Sequence, residues 1–138
     1  MFELTTDAYF DSAHFLADYY GKCENLHGHR WKVTVGISGD LGTRGTGRDM
    51  VCDFGSFKKT VRRIVEQFDH TFLIEEGTLK PVTISALESE GFSLKILPFR
   101  TTAENLAHYF FDALEEEGLS VSFVEVAETP NNRARYSA

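Results

Sequence analysis

One stretch of strict alternation constrains the fold more than any other part of the sequence. Between His29 and Ser38 every second residue is apolar and the residues between are mostly polar; the apolar set is Trp31, Val33, Val35 and Ile37. A period of two sends successive side chains to opposite faces of an extended chain. The stretch therefore predicts a β-strand with one face in a core and the other face polar.

Three further stretches predict strands. Residues 1–16 mix apolar and polar positions in an extended pattern, and residues 94–96 predict a short strand. Residues 119–129 predict a final strand whose alternation shifts between Phe123 and Val124, as at a β-bulge. Two long strands near the N-terminus leave unpaired edges, which a small protein can cover by oligomerising.

Two helices carry clear start signals. Asp53 is placed to cap a helix that extends to about residue 67 and has one apolar face. The second helix begins either at a capping box made by Thr101 and Glu104 or at Thr102 as the capping residue.

The elements follow the order strand, strand, helix, an irregular segment with a short helix or turn at 84–90, helix, strand. This order favours an α+β fold with the helices on one face of the sheet. It has no strand–helix–strand alternation of the kind that builds parallel nucleotide-binding folds. With 138 residues, the chain is expected to form a single domain over residues 1–138.

Composition argues against several classes of partner. A net charge of −7 disfavours a broad nucleic-acid-binding face, which needs clustered Lys and Arg. No apolar run approaches the roughly 20 residues that cross a bilayer, and the N-terminus lacks the basic and apolar regions of a signal peptide. The two cysteines are therefore expected to be free thiols in a reducing cytoplasm.

Three histidines suggest a metal site. His27 and His29 are two positions apart, so their rings share one face of an extended chain, and His14 lies on the preceding strand. If His14 faces them across an antiparallel pair, three imidazoles and an open fourth position describe a catalytic zinc site. Spacing alone also allows three unconnected histidines in turns.

Cys23 lies four residues before His27. It could close the zinc site as a fourth ligand, act as a general base if it is a thiolate held just outside the metal, or be an inert thiol. Cys52, beside apolar Val51, is interpreted as a core or helix-entry residue.

Two further positions carry acid–base groups. Asp69 precedes His70, so in a turn the carboxylate can orient an imidazole that moves protons, although a polar turn after a helix is an equal alternative. Glu128 ends an apolar strand, where a carboxylate can accept two hydrogen bonds from a heterocycle or simply be exposed. His108 is interpreted as a surface residue.

In combination these residues resemble the 6-pyruvoyltetrahydropterin synthase family, which includes the bacterial 6-carboxytetrahydropterin synthases of the queuosine pathway. The matching motifs cover nearly the whole chain. They are Cys23-x-x-x-His27-Gly28-His29, His14 in Asp-Ser-Ala-His-Phe, Met50-Val51-x-Asp53-Phe54, Asp69-His70, Thr102-x-Glu104-Asn105-Leu106-Ala107 and Glu128-Thr129.

The resemblance implies a tunnelling fold: a four-stranded antiparallel sheet with two long helices on one face, whose sheets close into a barrel in trimers that pair as a homo-hexamer. It also implies roles for the residues named above. Zn²⁺ would be bound by His14, His27 and His29; Cys23 would accept a proton with Asp69 and His70 as relay partners; Glu128 would anchor the pterin ring, with Thr102 nearby.

The implied reaction converts 7,8-dihydroneopterin triphosphate to 6-carboxy-5,6,7,8-tetrahydropterin, with release of triphosphate and acetaldehyde. The three-residue gap between Cys23 and His27 resembles the bacterial carboxy-forming branch. The alternatives are a 6-pyruvoyltetrahydropterin synthase and a non-catalytic pterin- or metal-binding protein. Four cations are candidates for the triphosphate: Lys22, Arg100, Arg133 and Arg135.

Overall fold

The computed structural model, which describes residues 1–138, contains six strands and three α-helices. The strands are β1 (Phe2–His14), β2 (His27–Gly39), β3 (Thr71–Glu75), β4 (Leu94–Leu97), β5 (Val121–Thr129) and β6 (Asn132–Tyr136). The helices are α1 (Phe54–Val65), α2 (Pro81–Ser89) and α3 (Ala103–Glu116). None of the helices has the length and apolar character needed to cross a bilayer.

The sheet has the strand order β4-β3-β1-β2-β5-β6. The longest pairing joins β1 and β2 in antiparallel register, from Phe2 opposite Gly39 to His14 opposite His27. β5 and β6 extend it as further antiparallel strands, whereas β3 and β4 lie parallel beyond β1. The α+β class is confirmed, and the first two strands lie where the pattern predicts them.

The predicted strand count is wrong. Four strands, β1, β2, β5 and β6, do form an antiparallel sheet, but β3 and β4 enlarge it to six. The strand expected at 94–96 is β4, which pairs with β3 at the far edge and not with the antiparallel part. β6 was missed because its five residues hold only two apolar side chains, Ala134 and Tyr136, which are too few to show a period of two.

α1 and α3 pack on one face of the sheet and enclose the core. Trp31, Val33 and Val35 of the alternating stretch are fully buried there, and the ring of Phe10 stacks on that of Trp31. The opposite face of the sheet is polar and carries cross-strand ion pairs, Arg30 with Asp11 at 3.0 Å and Lys32 with Asp7 at 3.6 Å. Burial on one face explains the period of two.

The helix starts follow capping chemistry. Asp53 accepts a hydrogen bond from the amide of Ser56 and caps α1, as predicted. Thr102 caps α3 by accepting from the amide of Asn105, so the capping box at Thr101 is wrong. Thr101 is fully buried instead, and its hydroxyl contacts His14.

A β-bulge lies where β5 crosses Gly36. Gly36 is opposite Phe123 and Ile37 is opposite Val121, so Ser122 is the extra residue. The bulge therefore precedes the shift expected between Phe123 and Val124. A Cβ on Gly36 would lie 2.2 Å from Cε1 of the Phe123 ring.

Replacing Gly36 with Ala is expected to lower the free energy of unfolding by about 1–3 kcal/mol, because the new methyl group overlaps a buried ring. Denaturant unfolding followed by circular dichroism measures the change. Gly28→Ala in the same strand is the matched control, because its Cβ would meet nothing closer than 3.6 Å. Equal stability of the two variants would contradict the packing argument.

Candidate metal centre and active site

The β1–β2 register brings the three histidines together. His14 lies directly opposite His27, and His29 lies opposite Ser12 on the same helix-facing side of the sheet. The ring centroids are 4.7 Å apart for His14 and His27 and 4.8 Å apart for His27 and His29. One ring nitrogen from each histidine lies within 4.8 Å of those from the other two. The predicted clustering is confirmed.

Hydrogen bonds select which nitrogen is free in two of the three rings. Nδ1 of His14 is 3.0 Å from the carbonyl oxygen of Thr101, and Nδ1 of His27 is 2.7 Å from that of Asn25. A carbonyl only accepts, so each Nδ1 carries the proton and each Nε2 keeps its lone pair. The Nε2 atoms of His14, His27 and His29 are buried and have no hydrogen-bond partner.

These three unpartnered nitrogens fit a metal ion. Unpaired buried polar atoms are costly, and three that converge on one point are explained if they share a cation. Imidazole nitrogen suits zinc, and three histidines leave a fourth position open. Burial, together with neighbouring His27 and His29, lowers the pKa of His14 to about 4. His14 is therefore neutral near pH 7, the form that binds a metal.

Trp31 and Thr101 contact the rings of the clustered histidines. The buried Trp31 ring meets His14 and His29 edge-on, with centroids 4.8 and 5.1 Å away. The Thr101 hydroxyl lies 3.1 Å from Nδ1 of His14, in addition to the carbonyl contact. Partners of this kind fix the orientation of ligand rings. Thr101 was missed as a site residue, because the sequence presented it only as a helix cap.

Cys23 lies in a 3₁₀ turn, Lys22–Glu24, within the loop that joins β1 to β2. Its carbonyl oxygen accepts a hydrogen bond from the amide of Leu16 at 2.8 Å, just beyond His14. The thiol is half-buried and free, and it does not belong to the histidine cluster. Cys23 is therefore not one of the clustered ligand groups.

Asp69 and His70 form a hydrogen-bonded pair at the edge of β1. One Asp69 carboxylate oxygen accepts from the amide of Asp11 at 2.8 Å, and the other lies 2.9 Å from Nδ1 of His70. The Asp11 amide and the His70 ring lower the pKa of Asp69, and in turn Asp69 raises the pKa of His70. His70 has a left-handed backbone with φ 57°, and its side chain is 80% exposed.

This pair and Cys23 are anchored to different residues of the chain. The His70 amide donates to the carbonyl of Asp11, whereas Cys23 is tied to Leu16. These two anchor points, Asp11 and Leu16, are five positions apart along the chain, and β1 ends between them at His14. No hydrogen bond or ion pair joins Cys23 to Asp69 or His70. Asp69 and His70 are therefore joined to each other, and neither is bonded to Cys23.

Glu128 ends β5 beside the histidines, with its Oε2 3.7 Å from Nε2 of His29. Burial raises its pKa; neighbouring His27 opposes this and Glu104 adds to it. Glu104, in the first turn of α3, therefore lies near the site, although the sequence had placed it only in a helix motif. Thr102 lies at the same helix start, where its hydroxyl caps α3.

The four candidate cations differ in their surroundings. Arg135 is paired with Glu125 at 3.3 Å, and Arg100 donates to the carbonyl of Ala17 at 2.7 Å. Lys22 and Arg133 have no ion pair, and Lys22 directly precedes Cys23. His108 lies on the surface, as predicted, beside Asp112 and stacked on Tyr136. Cys52 packs against the core.

Comparison with known sequences gives a consistent family. The model of the 6-pyruvoyl tetrahydropterin synthase family matches residues 3–138. A 6-carboxy-5,6,7,8-tetrahydropterin synthase of Haemophilus influenzae is 38% identical over 117 residues, which are 81% of each protein. The enzyme of the same name from Aquifex aeolicus is 36% identical over 94 residues, 66% of this chain and 56% of that protein.

Solved structures share the fold at lower identity. An uncharacterized Wolinella succinogenes protein superposes with a TM-score of 0.80 at 22% identity, covering 99% of this chain and 97% of that one. The 6-pyruvoyl tetrahydropterin synthase of Caenorhabditis elegans superposes with a TM-score of 0.72 at 23% identity, covering 99% and 95%. With the family match over nearly its full length, the chain belongs to the 6-pyruvoyl tetrahydropterin synthase family.

Proposed function

We propose that the protein is a zinc-dependent lyase that converts 7,8-dihydroneopterin triphosphate and water to 6-carboxy-5,6,7,8-tetrahydropterin, triphosphate and acetaldehyde. The observation that carries the proposal is the set of three unpartnered Nε2 atoms beside half-buried Glu128. The names of the Haemophilus influenzae and Aquifex aeolicus relatives support this product. The 6-pyruvoyltetrahydropterin synthases among the structural neighbours make the pyruvoyl product the alternative.

Each residue has a distinct task in this proposal. Zinc, when bound by His14, His27 and His29, supplies a Lewis acid that acidifies the substrate side chain. Cys23 accepts a proton from that side chain, and His70, oriented by Asp69, moves a proton on the other face. Glu128 accepts hydrogen bonds from the pterin ring, and Thr102 lies beside it. Lys22 and Arg133 are the cations left for the triphosphate.

A free thiol at Cys23 suits a reducing cytoplasm, and the product suits a place in queuosine synthesis, which we propose as its cellular setting.

Zinc-loaded protein incubated with dihydroneopterin triphosphate is expected to give one acetaldehyde per 6-carboxy-tetrahydropterin formed, because the two-carbon fragment leaves as the carboxyl group forms. Product mass and acetaldehyde are measured together. A pyruvoyl product without acetaldehyde would select the alternative synthase. Zinc-loaded protein with no turnover would contradict the proposal and favour a binding role.

Cys23→Ala is expected to abolish turnover and to leave about one zinc per chain, because the thiol lies outside the histidine cluster. His27→Ala is expected to lose most of the zinc, because it removes one of three ligands. Metal analysis of both purified variants checks this. Loss of zinc from Cys23→Ala would identify Cys23 as a ligand and contradict its role as a base.

Unpaired strand edges support assembly into rings. β1 pairs with β3 only at Ser12 and Ala13. The edge of β1 that faces away from β2 therefore has no strand partner from Phe2 to Phe10. β6 pairs with β5 on one side and is free on the other. Hydrogen bonding of β6 to β1 of the next copy repeats head to tail and closes a ring. We propose that three subunits form this barrel and two barrels stack as a hexamer.

Assembly can also bring together Cys23 and His70, the groups proposed to move protons. His70 is bonded to Asp11 in β1, whereas Cys23 is bonded to Leu16 beyond the end of β1, and no hydrogen bond joins Cys23 to His70. If neighbouring subunits bring the His70 of one chain to the Cys23 of another, each active site is shared. The proposed relay then depends on the oligomer.

Mixing two inactive variants tests this sharing. Cys23→Ala and His70→Ala proteins, dissociated together and reassembled, are expected to recover part of the activity, because some interfaces then join an intact Cys23 to an intact His70. Turnover of the mixture is compared with that of each variant treated alone. A mixture that stays inactive, although mass spectrometry shows mixed oligomers, would place the whole relay within one chain.

A further inference from the structure

The loop that carries Cys23 has few connections to the rest of the fold. Residues 15–26 leave β1 and return to β2, and their backbone hydrogen bonds are made within the loop itself, such as that from Leu16 to Cys23. Asp18 and Tyr20 both have a φ of 60°, a left-handed conformation that is unfavourable for such side chains. The loop's own hydrogen bonds tie Cys23 to Leu16, so contacts from outside the loop are needed to hold both residues against the rest of the fold.

Three side-chain hydrogen bonds from other elements supply those contacts. Nδ1 of His27 bonds to Asn25, and the Thr101 hydroxyl reaches the carbonyl of Phe15 at 3.5 Å. The shortest contact to the middle of the loop is from Arg100, whose terminal nitrogen donates to the carbonyl of Ala17 at 2.7 Å. Arg100 is thus the cation that ties the loop to the segment before α3.

Arg100 is itself held firmly and has no carboxylate partner. Its carbonyl oxygen accepts from the side-chain amide of Asn105 at 2.9 Å, in the first turn of α3. Its Nε is buried and has no acceptor, and it takes part in no ion pair. Because the backbone of Arg100 is held by Asn105, its planar guanidinium fixes Ala17 relative to α3 more rigidly than a lysine ammonium would.

We propose that Arg100 is a positioning residue, which fixes the loop so that the Cys23 thiol is aimed at the histidine cluster. The inference rests on the proposed function, because it concerns the base of that reaction. It assigns Arg100 a task other than binding the triphosphate, for which the sequence had made it a candidate. The neighbouring Thr101 orients His14, so one dipeptide aligns both the metal ligand and the base.

The test compares Arg100→Met, which keeps the length of the side chain but removes its donors, with the parent protein. We expect roughly ten- to hundredfold lower kcat, little change in KM and about one zinc per chain, because a misplaced base slows chemistry without weakening binding. Arg100→Lys should recover part of the loss. Arg62→Met, on the exposed face of α1, is the matched control and is expected to behave as the parent.

A second readout does not depend on turnover. Iodoacetamide modification of the zinc-loaded proteins, followed by peptide mass spectrometry, reports Cys23 and Cys52 separately. Arg100→Met is expected to raise the rate at Cys23 several-fold and to leave Cys52 unchanged as an internal control. The modification rate of Cys23 tests whether Arg100 restrains the loop even if the parent protein lacks the proposed activity.

Two results would overturn the inference. A Cys23 rate equal to that of the parent would show that Arg100 does not restrain the loop. A raised KM with unchanged kcat would instead make Arg100 a ligand of the triphosphate.

Discussion

The antiparallel pairing of β1 with β2 is the constraint on which the rest of the structure depends. It extends over thirteen residues of each strand, from Phe2 opposite Gly39 to His14 opposite His27. A slip of one residue would turn every side chain of one strand to the other face. Because the buried alternation of β2 fixes the register, the same packing that makes the core also sets His14 against His27.

The site is built from groups whose burial has a cost that a bound ion can offset. Three histidines with unpartnered Nε2 atoms, among them His14 with its pKa lowered to about 4, lie at the end of the sheet with Glu128, whose pKa is raised by burial. The Asp69–His70 pair has the opposite environment, because the His70 ring is exposed and its pKa is raised by Asp69. A desolvated centre and a solvated proton-transfer pair are different chemical settings, and the fold keeps them at separate points of β1.

Sequence patterns predicted those features that depend on local spacing. The strand at 29–38, the cap at Asp53 and the facing of the three histidines follow from periods and short-range hydrogen bonds, and the structure contains all three. Features set by tertiary contacts were not predictable. β6 is a short edge strand with only two apolar residues, Ala134 and Tyr136. Thr101 is turned inward toward His14 and away from the capping position that its spacing suggested.

The backbone of His70 shows where the fold gives up stability. A φ of 57° is the conformation that glycine adopts freely, and for a residue with a Cβ it costs roughly 1–2 kcal/mol. The exposed ring makes one side-chain hydrogen bond, to Asp69, which does little to offset this cost. A chain optimised for thermal stability alone would hold glycine or asparagine here. His70 therefore combines backbone strain with the imidazole proposed to move a proton. Replacing it with glycine to stabilise the fold would relieve the strain and remove the imidazole.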